Sequence, residues 1–175
     1  HPALEKGSYI RKGEMLMKID PARYDLAIAR QEASLESIKA QLAELDVNEK
    51  NLKASLEIEE KNLSLAKAER DRQAELLKKK MVSSSVYEKQ EQAYYAQLSK
   101  VQNLKNSLNL IPANRKTLNA NLKVNQIALQ DARLDRENTA ITAPFDCRLT
   151  AVNVEIAQYV QRGQVVIGAD GIEAA

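Results

Sequence analysis

Side chains able to carry chemistry are few and far apart. The chain has one histidine, His1, and one cysteine, Cys147. A Ser/His/Asp or Cys/His nucleophile set would have to be built around that terminal imidazole alone. One cysteine cannot form an internal disulfide. The three methionines, Met15, Met17 and Met81, are the remaining soft ligands. Met15 and Met17 stand two apart in a strand-like stretch and could face one core, while Met81 is isolated. Dispersed in this way, they do not read as a metal site. No Gly-rich phosphate loop occurs. Acidic residues interleave with basic ones, as in Glu59-Glu60-Lys61 and Lys67-Ala68-Glu69-Arg70-Asp71-Arg72. That pattern is a solvated helix face, neither an acid–base pair in a pocket nor a nucleic-acid footprint. The one basic run, Lys78-Lys79-Lys80, is too short to argue for nucleic acid. These residues predict a non-enzymatic protein with no metal, no cofactor and no nucleic-acid partner.

Composition says what must position the rest. The 175 residues include no Trp, one Phe and six Tyr, and 29% are charged. A chain so poor in aromatics has to bury its apolar surface along thin seams rather than in a large core. The charges nearly balance, 26 basic against 24 acidic. No run approaches the ~20 apolar residues of a membrane span, and no signal peptide is evident. The chain starts at His1 and ends in Gly171-Ile172-Glu173-Ala174-Ala175. It is read as a piece of a longer protein, with 171–175 opening a next domain.

Three zones follow, and they make the fold α+β. Residues 1–20 and 139–170 are strand-like, with Gly7, Gly13, Gly163 and Gly168 and β-branched runs such as Val165-Val166-Ile167. Residues 21–138 contain no glycine and read as helix. Asp20-Pro21 opens that zone as an N-cap followed by a proline that needs no N–H. Apolar residues then recur at three and four: Leu35, Ile38, Leu42, Leu45, Leu52, Leu56, Leu63 and Ala66. Glu49 and Glu59 fall on the same seam and make it imperfect. The pattern halts near 81–85, where Ser83-Ser84-Ser85 compete with the helix for backbone hydrogen bonds. Ser85-Val86-Tyr87-Glu88 fits a capping box, and Ser83 is the alternative cap.

A second heptad series runs through Tyr87, Tyr94, Val101, Leu104, Leu108, Ile111, Leu118, Leu122, Leu129 and Ala132, interrupted by Arg115 and Asn125. Pro112 predicts a kink within one rod, because the register carries across it. Two such helices joined by a short turn make an antiparallel hairpin with arms of about 80 Å.

The two strand zones resemble each other. Gly7-Ser8-Tyr9-Ile10-Arg11-Lys12-Gly13-Glu14 matches Ala157-Gln158-Tyr159-Val160-Gln161-Arg162-Gly163-Gln164 at equal spacings. Met15-Leu16-Met17 then aligns with Val165-Val166-Ile167. Two halves of one β-domain, split by the hairpin, would give this pattern.

The layout resembles the periplasmic adaptor family, also called membrane fusion proteins (HlyD-like), over essentially the whole chain. Gly7–Leu16 with Ile19-Asp20-Pro21 and Tyr24 is similar to the family's first lipoyl half-motif entering its hairpin. Leu134, Thr139, Ile141 and Ala143-Pro144-Phe145-Asp146 are similar to the entry into the second, which Val160–Gln164 closes. Two positions depart from the pattern. Cys147 and Ala157 stand where relatives usually have Gly, and Cys147 is read as a small residue tolerated in a turn.

The resemblance implies a fold and a role. The fold is a long antiparallel hairpin (21–138) inserted between the halves (1–20 and 139–170) of a small lipoyl-like β-sandwich. With a helical insertion in place of the carrier lysine's hairpin, no lipoylation is expected, and Lys18 is a plain strand lysine. The implied role is that of adaptor subunit in a tripartite efflux or secretion pump of the Gram-negative periplasm. Parts outside this chain would hold it to an inner-membrane transporter, resistance–nodulation (RND) rather than ABC. Six copies would self-associate, and the tips would meet a TolC-like outer-membrane channel. Adaptors of such channels carry an Arg, a Leu four residues on and a Ser seven beyond. Arg72, Leu76 and Ser83 have that spacing, with Val82 before the serine and Gln73 where relatives have Leu. The alternative is a structural coiled-coil spacer with no channel partner, in which Arg72 is solvated, Leu76 is seam and Ser83 is a cap.

Overall fold

A computed structural model describes residues 5–161 and 163–172. His1, Arg162 and residues 173–175 of the expected next domain lie outside the described residues. The elements run β1 (Tyr9–Ile10), β2 (Met15–Lys18), α1 (Ala22–Lys78), α2 (Ser84–Glu137), β3 (Ala140–Thr142), β4 (Cys147–Val152) and β5 (Ile167–Gly171). The chain divides into two compact units, residues 31–127 and residues 1–30 with 128–175.

The helical unit is a seam between α1 and α2. Every apolar heptad position named above within 31–127 is at least half-buried. Leu35, Val101 and Ile111 are the buried ones, because a pair of helices covers each side chain from one side only. Half-burial of a leucine stabilises by about 1 kcal/mol, so the hairpin rests on many small contributions. Two of the seam's interruptions, Arg115 and Glu49, pair with each other. Arg115 donates to Asp46 at 2.5 Å and to Glu49 at 2.7 Å. Gln97 donates to the Glu59 carboxylate and, at 3.2 Å, to the Glu59 carbonyl. Lys105 meets Glu60 at 2.8 Å. α2 runs through Pro112 without a break. The missing N–H costs one bond to Leu108, and the seam on both sides of Pro112 keeps the helix paired.

The β unit holds a three-stranded sheet, β1-β4-β5, and a two-stranded one, β2-β3, all antiparallel. Ile10, Ala143, Cys147 and Leu149 form its core, with Leu16, Val152 and Ile167 packed against them. The core therefore draws on both sheets, which is a small sandwich. Thr139 closes the end of α2: its Oγ1 donates to the Arg136 carbonyl at 2.7 Å while its own carbonyl accepts from Ile19 N–H at 2.8 Å. At the start of α1, Asp20 Oδ1 accepts the Ala22 N–H at 3.0 Å.

The repeat seen in sequence is a repeat of hydrogen bonds. Ser8 N–H donates to the Glu5 carbonyl at 3.1 Å, and Gln158 N–H to the Glu155 carbonyl at 3.2 Å. Glu14 N–H donates to Arg11 and Gln164 N–H to Gln161, each at 3.1 Å. Side chains return the favour: Ser8 Oγ and Gln158 Oε1 accept from Glu5 and Glu155 N–H, while Glu14 Oε2 and Gln164 Oε1 accept from Arg11 and Gln161 N–H. Gly7, Gly13 and Gly163 sit at positive φ, and Ala157 takes φ +66° in the place of Gly7. The copies differ between the two turns, since Tyr9–Ile10 pairs with β4 and Gln158–Val160 forms no strand.

Two expectations are corrected here. Cys147 is not in a turn. It is the first residue of β4, opposite Ile10, 1% exposed and without positive φ, so a small apolar side chain suits the core it enters. Met15 and Met17 do not share the core. Leu16 between them packs inward, Met15 is exposed, and a register irregularity separates the two methionines.

Two predictions follow from this packing. Ala157→Gly is expected to stabilise the protein by about 0.5–1 kcal/mol, because only glycine takes φ +66° without steric cost. A lower melting temperature for that variant would overturn the turn geometry. The second concerns acid. Hydrogen bonds from Lys53 and Arg115 hold the Glu49 carboxyl below its ordinary value of 4.5. Gln97 and Asn62 do the same for Glu59. Carboxyls depressed in the fold stabilise it above pH 4.5 and cease to do so as the pH falls through their lower folded values. Helix melting followed by circular dichroism should shift to lower temperature below pH 4.5, and less so in Glu49→Gln. An acid-insensitive midpoint would remove these pairs from the account.

Candidate functional site

The reversal between α1 and α2 is closed by main-chain bonds. Lys80 N–H donates to the Leu77 carbonyl at 2.8 Å, and Met81 N–H to the Leu76 carbonyl at 2.9 Å. Lys80 has φ +59°. This is a Schellman closure with lysine at the left-handed position that glycine usually holds. On the other side, the Ser83 carbonyl accepts Val86 N–H at 3.2 Å and Tyr87 N–H at 3.4 Å. Since α2 starts at Ser84, Ser83 is its N-cap, and the capping box at Ser85–Glu88 does not form. The left-handed residue reverses the chain early enough that Ser84 is already helical.

The expected tip residues are placed as follows. Ser83 is exposed and Val82 and Leu76 are half-buried. The Arg72 side chain is 68% exposed and pairs with Glu69 three residues earlier. Sequence reading missed Glu69, although its spacings to Arg72 and Gln73 are those of helix-face neighbours. Gln73 Nε2 donates to Glu69 Oε1 at 2.7 Å, so one carboxylate holds both Gln73 and Arg72. The other end of that amide, Gln73 Oε1, is buried without a partner. A polar zone also lies between the helices below the turn. Arg70 bonds Asp71 and lies over the Tyr94 ring, 4.4 Å from its centroid. Tyr94 meets Tyr95 edge-on at 5.3 Å. Tyr87 donates to Glu91 at 3.0 Å, and that carboxylate pushes the phenol's pKa up.

Among the described residues no group of three or more His, Cys, Asp or Glu side chains could hold a metal ion, and no helix is long and apolar enough to cross a membrane. What the tip can do is bind: it presents hydroxyl, ammonium, guanidinium and thioether groups on a rigid turn. Gln73→Leu is expected to stabilise the hairpin by about 1 kcal/mol, because it removes a buried oxygen with no donor. A destabilised variant would show that Gln73 is satisfied in solution.

Comparison with known proteins places this geometry. A family model described as the barrel-sandwich hybrid domain of RND membrane fusion proteins (MFP) matches residues 2–167. Among solved structures, MacA from Actinobacillus actinomycetemcomitans matches with a TM-score of 0.58 at 21% identity, over 97% of this chain and 44% of that one. The periplasmic adaptor protein EmrA matches with a TM-score of 0.49 at 18% identity, over 97% of this chain and 67% of that one. No curated protein sequence matches. At such identities the structural likeness is one of fold, and this chain spans less than half the length of the MacA chain. The family match covers almost the whole chain, and on it the chain belongs to the RND membrane fusion proteins, carrying their barrel-sandwich hybrid domain.

Proposed function

We propose that the protein is the adaptor subunit of a tripartite efflux or secretion pump in the Gram-negative periplasm. It would link an inner-membrane transporter, RND rather than ABC, to a TolC-like outer-membrane channel. Arg72, Leu76, Val82 and Ser83 at the hairpin tip would make the channel contact. The observation that carries this reading is an exposed, hydrogen-bonded turn between two long helices on a chain of the adaptor family. The family's RND description favours that transporter class. Its role is mechanical rather than catalytic, with attachment to the inner membrane through parts beyond this chain.

Self-association into a hexamer has support in the hairpin's flanks. Val47, Ile58, Leu65, Leu110 and Val124 are all more than half exposed along α1 and α2. Single exposed apolar residues are ordinary, but spaced down both helices they suit packing against neighbouring copies. Lys18 lies in β2 opposite Ala140, as a strand lysine rather than a carrier lysine would.

A structural spacer is the second reading, and one observation favours it. Arg72 is already paired with Glu69 on its own helix. A photo-crosslinking residue at position 83 in the full-length protein, in its native cells, separates the two. Capture of an outer-membrane channel is expected. Capture of other copies alone, or of nothing, would sink the docking role in favour of the spacer. Arg72→Asp should abolish export while leaving helix content and melting unchanged, and full export in that variant would count against the tip.

A further inference from the structure

Residues 76–87 contain three lysines and no acid. Their charges are not equivalent. Lys78 is held by Glu75 at 2.6 Å. Lys79 and Lys80 lie beyond the last helical residue of α1, both exposed, and Met81 beside them is 69% exposed. Lys80 sits at the left-handed position of the Schellman closure, which fixes where its side chain leaves the backbone. The turn thus offers two ammonium groups and one flexible apolar side chain on a fixed frame.

We propose that Lys79, Lys80 and Met81 extend the tip contact of Arg72, Leu76, Val82 and Ser83, and that the partner is a protein rim bearing carboxylates around an apolar patch. The proposal rests on the docking reading above and specifies its chemistry. Arg72 pairs with Glu69 but stays 68% exposed, and the two exposed lysines at the turn add further cations that can meet a partner's acids. Their charge complements carboxylates, which steer encounter and exclude cationic surfaces. Met81 supplies adaptable apolar contact at the same spot. A lipid surface fits less well. Polybasic recognition of anionic lipid uses roughly four to eight basic residues, and Glu75 and Glu88 flank this turn within the adjoining helices.

The test uses the position-83 crosslinker in full-length protein in native cells, with the wild-type tip, the double variant Lys79→Glu with Lys80→Glu, and the double variant Lys79→Arg with Lys80→Arg. Channel capture is expected in the wild type and in the arginine variant, and to fall about tenfold or more in the glutamate variant. Unchanged melting of each variant confirms folding, which exposed turn residues should not disturb. Equal capture in all three would overturn this proposal while the docking reading stands. Absence of channel capture in the wild type would overturn both. Sedimentation with phosphatidylglycerol vesicles that disappears in the glutamate variant would also overturn it, by moving the basic turn to a membrane surface.

Discussion

Two helices packed on each other share one contact line, so neither can surround its partner's side chains. Heptads of leucine supply adhesion along that line but little register, because sliding one helix past the other by a heptad leaves the apolar contacts much the same. Charged residues on the line change that. Arg115 between Asp46 and Glu49, Gln97 on Glu59 and Lys105 on Glu60 all match in one register. Any slip would part half-buried Arg115, Glu49, Glu59 and Gln97 from their partners. The register fixed in this way decides which residues are left to make the reversal, and therefore which ones stand at the tip.

The seam shows what a sequence discloses and what it withholds. Heptad positions were legible because a period of three and four is a property of each helix alone. Glu49, Glu59 and Arg115 read as flaws for the same reason: each looks wrong on its own helix, and its partner lies on the other one. Pairing them requires knowing where the chain turns. That position was legible only to within a few residues, since three serines in succession offer several caps and the left-handed residue is a lysine, not the glycine that would have marked it. The strands were harder still. β1 has two residues and β2 four, too few to establish an alternation. The irregularity between Met15 and Met17 then reverses the sense in which period two would be read.

The half-motifs give the opposite lesson. Their likeness was visible as residue types, yet what is conserved between them in space is a set of turns and side-chain-to-backbone bonds. Serine and glutamine are different side chains, but Ser8 Oγ and Gln158 Oε1 each accept from the N–H three residues before. Glu14 and Gln164 match in the same manner. The geometry asks for an acceptor at one position and tolerance of positive φ at another. Ala157 meets the second requirement at a steric cost, while Cys147 was misjudged because its place in β4 asks for core packing and not for a left-handed turn.

At the tip, part of the main chain is occupied. The carbonyls of Leu76 and Leu77 take Met81 and Lys80 N–H, and the Ser83 carbonyl takes two donors from α2. A partner cannot claim these groups without opening the Schellman closure or the cap. Leu76 and Val82 are already half covered, and Arg72 is bound to Glu69, which Gln73 also holds. Were position 73 an apolar residue, Glu69 would lose one of its two ligands and Arg72 would remain its sole partner. The glutamine thus shares Glu69 with Arg72 and loosens that pair rather than tightening it.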